Sequence, residues 1–202
     1  MAEYKCGDSS KSTHVFPLLI DAPKSSSQLL HSAKLGSGAS AQSDEIISGY
    51  IYATLYSNRY RVKYLDQLSR GYPVIPPADD ATYFLGLGEL GLRLLRLHAC
   101  WEDSVSDVSE VPPDQRWGVV KWMENALLIP GVGAQFDVAP SVSKVVWEYK
   151  IGGYRVLKKW LDFRSERSID AVSLGEIRAI VKNIIATIDL QKEIDDYIRL
   201  PS

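Results

Sequence analysis

The apolar residues of this chain change their spacing at an acidic, proline-containing stretch, residues 101–116, and that change narrows the folds open to it. Upstream, from about 43 to 100, apolar side chains recur every three or four positions, the period of one helix face. Downstream, Trp117 to Trp122, Ala126 to Ile129 and Val145 to Lys150 are short β-branched or aromatic runs with Pro and Gly between them, as strands are. Helical spacing then returns. Helices, then strands, then helices read as α+β. The expected layout is a helical part over about 43–100, a small mixed or antiparallel β region over about 117–150, and C-terminal helices over 154–198.

Local signals place the elements within this frame. The polar residues 1–13 lead into Val15-Phe16-Pro17-Leu18-Leu19-Ile20, a predicted strand, and residues 22–42 read as a loop rich in Ser, Ala and Gly. Residues 1–42 are therefore expected to be a strand with a flexible loop, and 43–202 the main domain. Ser43, followed by Asp44 and Glu45, suits a helix N-terminus; Ile46, Ile47, Tyr50, Ile51, Ala53 and Leu55 then form an apolar helix. Asn58 is expected to cap a second helix, with Tyr60, Tyr64, Leu65 and Leu68 inward and Arg59, Arg61 and Lys63 outward. Prolines between Gly71 and Pro77 break it, and Asp79 or Asp80 caps a third helix running to about Cys100. Ser173-Leu174-Gly175-Glu176 has the form of a capping box, and Ile177, Ile180, Val181, Ile184, Ile185 and Ile188 follow at helical spacing.

Composition limits the function classes. Cys6 and Cys100 stand far apart without a CxxC, which fits a reducing cytoplasm better than a disulfide scaffold or structural zinc. The polar N-terminus lacks the apolar core of a signal peptide, and no run approaches the ~18 apolar residues of a membrane span, so the expected location is the cytoplasm. A net charge of -2 argues against a generic nucleic-acid binder. The charge is unevenly distributed, however. Lys144 to Arg167 carries seven basic and three acidic residues, Asn58 to Arg70 four and one, and Glu102 to Asp114 five acidic residues alone. A near-neutral total can hide a basic face.

The catalytic motifs are weak. Gly86-Leu87-Gly88-Glu89-Leu90-Gly91 matches GxGxxG, with Glu110 beyond it, but a dinucleotide site needs those glycines in a strand-to-helix turn. Leu85, Leu87, Leu90, Leu92, Leu94, Leu95 and Leu97 fit one continuous helix better. Glu148-Tyr149-Lys150 with Asp137 has the outline of half a metal-dependent nuclease site, which a strand would place on one face. His14, His31 and His98 lack metal-ligand spacing; His98, near a helix C-terminus where imidazolium is favoured, reads as structural. Ser141-Val142-Ser143-Lys144 matches SxxK without supporting motifs. The chain has no GxSxG, no P-loop and no DPPY or NPPY.

The informative segment runs from Val146 to Arg164: Val-Trp-Glu-Tyr-Lys-Ile-Gly-Gly-Tyr-Arg-Val-Leu-Lys-Lys-Trp-Leu-Asp-Phe-Arg. It reads as a strand, a paired-glycine turn and a short basic helix. Gly152 and Gly153 permit positive φ and close backbone approach, and a helix beginning beside them would offer N–H groups to a phosphate. Lys158, Lys159, Arg164 and Arg167 would supply charge. The competing view is a tight corner with Trp147 and Trp160 as core.

This segment resembles the C-terminal specificity region of type ISP restriction–modification enzymes and their adenine-methyltransferase relatives, where a VWEYxIGGYxxxxKWLxxR string recurs. Residues from Tyr50 to Tyr64 are similar to that family's YxYAxLxSxxYRxxY block. Pro73-Val74-Ile75-Pro76 resembles its PRIP, with Val74 in place of arginine. Gly91 to His98 is similar to its LGxxLxxLH helix end, and Val15 to Leu18 to its VFPL. The likeness spans roughly residues 14–198 in the family's order.

The resemblance implies a DNA target-recognition domain over 43–202, not an enzyme by itself and without a cofactor in this chain. S-adenosylmethionine is implied only in an associated methyltransferase domain. The implied partners are double-stranded DNA and that methyltransferase, as a domain of the parent protein or a separate subunit, with no membrane. The expected DNA-contacting residues are Lys144, Lys150, Gly152, Gly153, Tyr154, Arg155, Lys158, Lys159, Arg164 and Arg167, together with Arg59, Arg61 and Lys63. Base edges would be read from loops among the strands of 117–150, each good bidentate pair discriminating by about 1–3 kcal/mol. Three other readings compete: a protein–protein interaction module docking through 43–100, a nucleotide enzyme using glycines 86–91, and an uncharacterised α+β domain.

Overall fold

A computed structural model describes residues 41–71, 73–99, 116–129 and 142–201. The predicted strand at Val15–Ile20, the loop 22–42, the acidic connection 101–115 and Asp137 lie outside the described residues. In chain order the elements are α1 (Ala41–Tyr56), α2 (Asn58–Lys63), α3 (Leu65–Arg70), α4 (Ala81–Ala99), β1 (Lys121–Met123) and β2 (Ala126–Leu128), followed by α5 (Lys144–Trp147), β3 (Lys150–Ile151), β4 (Tyr154–Arg155), α6 (Val156–Asp162) and α7 (Ala171–Tyr197). The strands form two antiparallel pairs, β1 with β2 and β3 with β4. The class is α+β, as the change of period requires. By contacts the chain divides into two compact units, one of Met1–Leu95 with Glu193–Ser202, the other Arg96–Lys192.

In the first unit aromatic side chains supply the core. Tyr50, Tyr60, Tyr83, Phe84, Leu87, Leu94 and Ile194 are buried, and the Tyr50 and Phe84 rings lie 5.0 Å apart. Buried hydroxyls need partners, and here these are carbonyls of the proline segment: Tyr50 donates to Pro76 at 2.9 Å and Tyr60 to Val74 at 2.8 Å. Burial pushes both phenols above their ordinary pKa, so they remain donors. Helix α1 meets α4 on glycines. A Cβ on Gly91 would collide with the Gly49 carbonyl, and one on Gly49 with the Gly88 carbonyl. Gly86, Gly88 and Gly91 all lie inside α4, without a strand-to-helix turn, so the nucleotide reading loses its context.

Caps shift by small amounts from expectation. Helix α1 begins at Ala41, upstream of Ser43. Ser57, not Asn58, caps α2, accepting from the Tyr60 N–H. The helix expected to run on from there breaks at Tyr64, which leaves Leu65 exposed instead of inward. Asp80 caps α4 through the Tyr83 N–H at 2.7 Å.

In the second unit Trp117, Leu127, Ile129, Val142, Val146, Trp147, Leu157, Leu161, Ile169, Leu174, Ile177, Val181 and Ile184 form one core. The β1–β2 hairpin turns through Glu124 and Asn125, both at positive φ, the pattern of a type I′ turn. The strand expected over Val145 to Lys150 is corrected by a helical turn, α5, which Ser143 caps. Val146 and Trp147 are adjacent and both buried; a strand would turn one of them outward. Tyr154 and Arg155, expected to open a helix, instead form β4.

The box at the start of α7 is also one turn earlier than its motif suggests. Asp170 accepts from the Ser173 N–H at 2.7 Å, and Ser173 Oγ accepts from the Asp170 N–H at 3.1 Å. Hydrogen bonding from Ser173, side chain first and backbone second, holds the Asp170 carboxyl below the usual carboxylate range. A pKa lowered by folding stabilises the native state fully above the unfolded value of about 4, and this is lost as pH falls through the lower folded value. Asp170→Asn keeps a good cap but cannot titrate. Its acid unfolding, followed by circular dichroism below about pH 4, should therefore be less steep than that of the wild type. Identical profiles would remove Asp170 from the acid response.

Candidate nucleic-acid interface

The cations expected to contact DNA fall into both units. Arg59, Arg61 and Lys63 lie on α2 of the first, and each is engaged within it. Arg59 donates to the carbonyls of Asp195 at 2.8 Å and Ile198 at 3.3 Å. Arg61 donates to Tyr56 O at 2.9 Å and lies over the Tyr56 ring. Lys63 donates to the Pro201 carbonyl. The same corner is organised by Asp195, whose carboxylate takes Ser57 Oγ at 2.6 Å and Asn58 Nδ2 at 3.1 Å. Val74, where the resembling motif has arginine, is exposed and contributes its carbonyl.

The second unit brings the remaining candidates onto one continuous stretch, α5 to the start of α7. Lys150 pairs in register with Arg155 and Ile151 with Tyr154, so Gly152 and Gly153 form a two-residue turn. Positive φ at Gly152 alone is the signature of a type II′ hairpin. Val156, the first residue of α6, donates its N–H to Tyr149 O at 3.1 Å. That donor is thus used within the fold, and β4 stands between the glycines and the start of α6, which has no side-chain cap.

Charge partners divide the cations further. Arg155 meets Glu148 at 3.1 Å and Lys158 meets Asp162 at 2.7 Å, both exposed pairs of the kind worth little in water. Arg164 is less available: it is half-buried against Glu176 at 2.8 Å and stacks 3.9 Å over Trp160. Lys159 stands 5.1 Å from the Tyr154 ring and 4.7 Å from the Phe163 ring. Lys144, Lys150 and Arg167 are exposed and make no ion pair among the described residues. Arg164 and Arg167 also line a cavity of about 300 Å³ with Trp117, Ser168, Asp170, Val172, Ser173 and Glu176.

The other motifs resolve into structural parts. Glu148 ends the α5 turn while Lys150 belongs to β3, so the two do not share a strand face as the nuclease outline requires. Lys144 of the SxxK match opens the α5 turn behind its cap Ser143, and Ser141 lies outside the described residues. His98 lies 2.9 Å from Thr187 Oγ1, and burial lowers its pKa, opposing the helix-end preference for imidazolium. Among the described residues no group of three or more His, Cys, Asp or Glu could hold a metal ion, and no helix is long and apolar enough to cross a membrane.

Two exposed apolar side chains near the basic stretch, Ile151 and Phe163, were not among the expected contacts. For Ile151 the sequence held a usable signal. Two glycines between apolar neighbours read as a tight hairpin, which makes Ile151 and Tyr154 partners at its tip. For Phe163 the helical spacing gave no warning. A family model described as Type ISP C-terminal specificity domain matches residues 1–194. Comparison with curated proteins and with solved structures finds no match.

Proposed function

The chain belongs to the type ISP C-terminal specificity domain family, and from that membership we propose that it reads a target sequence in double-stranded DNA for a restriction–modification or adenine-methyltransferase enzyme. Methyl transfer and S-adenosylmethionine binding are assigned to a methyltransferase domain or subunit, and this chain is non-catalytic alone. The observation that carries the DNA contact is the β3–β4 hairpin. Lys150 and Arg155 face each other across it; Glu148 meets Arg155, so the uncompensated charge of the pair is that of Lys150, which a polyanion would balance. Phosphate contacts set register and affinity, and they fall here to Lys144, Lys150, Arg155, Lys158, Lys159 and Arg167. Arg164 positions the basic segment through Glu176 and Trp160. Base reading is assigned to the loops of 117–150, including the exposed turn at Glu124 and Asn125.

The test is salt-dependent binding to a duplex followed by fluorescence anisotropy. Lys150→Ala should weaken binding on all sequences alike and reduce the slope of log K against log salt by about one unit. An unchanged slope would take Lys150 out of the interface, and an absence of salt-dependent binding by the wild type would overturn the proposal. Exposed Val62, Leu65 and Val74 in the first unit favour a second contact, docking of the methyltransferase partner on that unit.

A further inference from the structure

The tip of the β3–β4 hairpin carries apolar surface for which the fold has no use. Ile151 and Tyr154 are cross-strand partners, yet they are 51% and 59% exposed, and neither belongs to the unit's core or to the residues packed against it. Gly152 is required by its positive φ, but Gly153 is not. A Cβ at Gly153 would meet nothing within 4 Å, so neither backbone conformation nor crowding within the fold asks for glycine there. Beside the tip, Lys159 stands between the rings of Tyr154 and Phe163, and Phe163 is 66% exposed.

A narrow apolar tip flanked by Lys150, Arg155 and Lys159 has a restricted set of partners. The cations select a polyanion, and the uncovered Ile and Tyr select apolar surface inside it. In duplex DNA that surface lies between stacked bases and is reached by parting a step. We infer that the hairpin tip is a wedge: Ile151 and Tyr154 enter the base stack, Gly153 lets the sugar–phosphate backbone approach, and Lys150 and Lys159 neutralise the flanking phosphates. Apolar side chains used in this way unstack a step at a cost of about a few kcal/mol and bend the duplex. The inference rests on the DNA-binding reading and adds to it a mode of contact that reads deformability as well as base edges.

The full chain is titrated against a duplex of about 30 base pairs and against the same duplex with one central abasic position, where the unstacking cost is already met. The wild type should bind the abasic duplex about 10-fold more tightly. Ile151→Ser with Tyr154→Ser should bring the two affinities together, whereas Lys150→Ala should weaken both and keep their ratio. Both tip residues are exposed, so these variants retain the core. Gly153→Val should lower the preference for the abasic duplex without lowering the melting temperature. Equal, salt-dependent binding of both duplexes by the wild type would overturn the wedge and leave DNA binding standing. No salt-dependent binding to either would remove the wedge and the DNA reading together.

Discussion

Trp117→Ala is expected to cost about 3–5 kcal/mol of stability, while Trp117→Phe should cost less than about 1 kcal/mol. Trp117 is fully buried in the core of the second unit, with its ring edge-on to Trp160 at 5.6 Å. Truncation to alanine loses that contact and leaves a cavity beneath the junction of Arg164 with α7. The indole also brings a liability, since its Nε1–H is buried and finds no acceptor among the described residues. An unmet buried donor costs about 1–3 kcal/mol, so phenylalanine gives back in polar terms much of what it loses in ring area. Denaturant unfolding of both variants, followed by near-ultraviolet circular dichroism, provides the measurement. If Trp117→Phe is as damaging as Trp117→Ala, the Nε1–H has a partner and the explanation is wrong.

Gly91→Ala should destabilise the first unit by about 1–3 kcal/mol or more. At an exposed helix position the same change would stabilise by about 1 kcal/mol, so the sign is diagnostic. The added Cβ would overlap the Gly49 carbonyl and lie 3.0 Å from Ala53 Cβ, and backbone on α1 cannot step aside as a flexible side chain can. Gly71→Ala is the control, because a Cβ there meets nothing within 4 Å. In thermal melts Gly91→Ala should fall by several degrees, at roughly 2–4 °C per kcal/mol for a chain of this size, and Gly71→Ala should not fall. A stable Gly91→Ala protein would show that α1 and α4 do not cross on these glycines.

The α+β class was legible because the period of the apolar residues is a property of the sequence itself. What misled was local. Val145, Val146 and Trp147 have strand propensity, and only the burial of two neighbours together, a tertiary demand, makes them a helical turn. Ser173 and Glu176 satisfy the capping spacing, but Asp170 and Ser173 satisfy it too, and Glu176 is taken by Arg164. The basic stretch was visible as a count of charges. Which cations are already engaged was not, because Glu176 lies twelve positions from Arg164 and Asp195 about 136 from Arg59. The tip residues could have been found from the paired glycines. Their exposure could not, since nothing in the sequence says what a hairpin fails to cover.

The Asp195 corner has a consequence for biosynthesis. Ser57, Asn58 and Arg59 leave the ribosome long before the carboxylate that receives them, and about a hundred residues separate the two parts of that unit in sequence. At ordinary elongation rates the gap lasts roughly 5–20 s. During that time the tyrosine-lined helices wait with their closing segment still untranslated, while the intervening unit is being made and is complete before that segment. The order of completion is therefore nested, and the helices made first are the ones most in need of a chaperone.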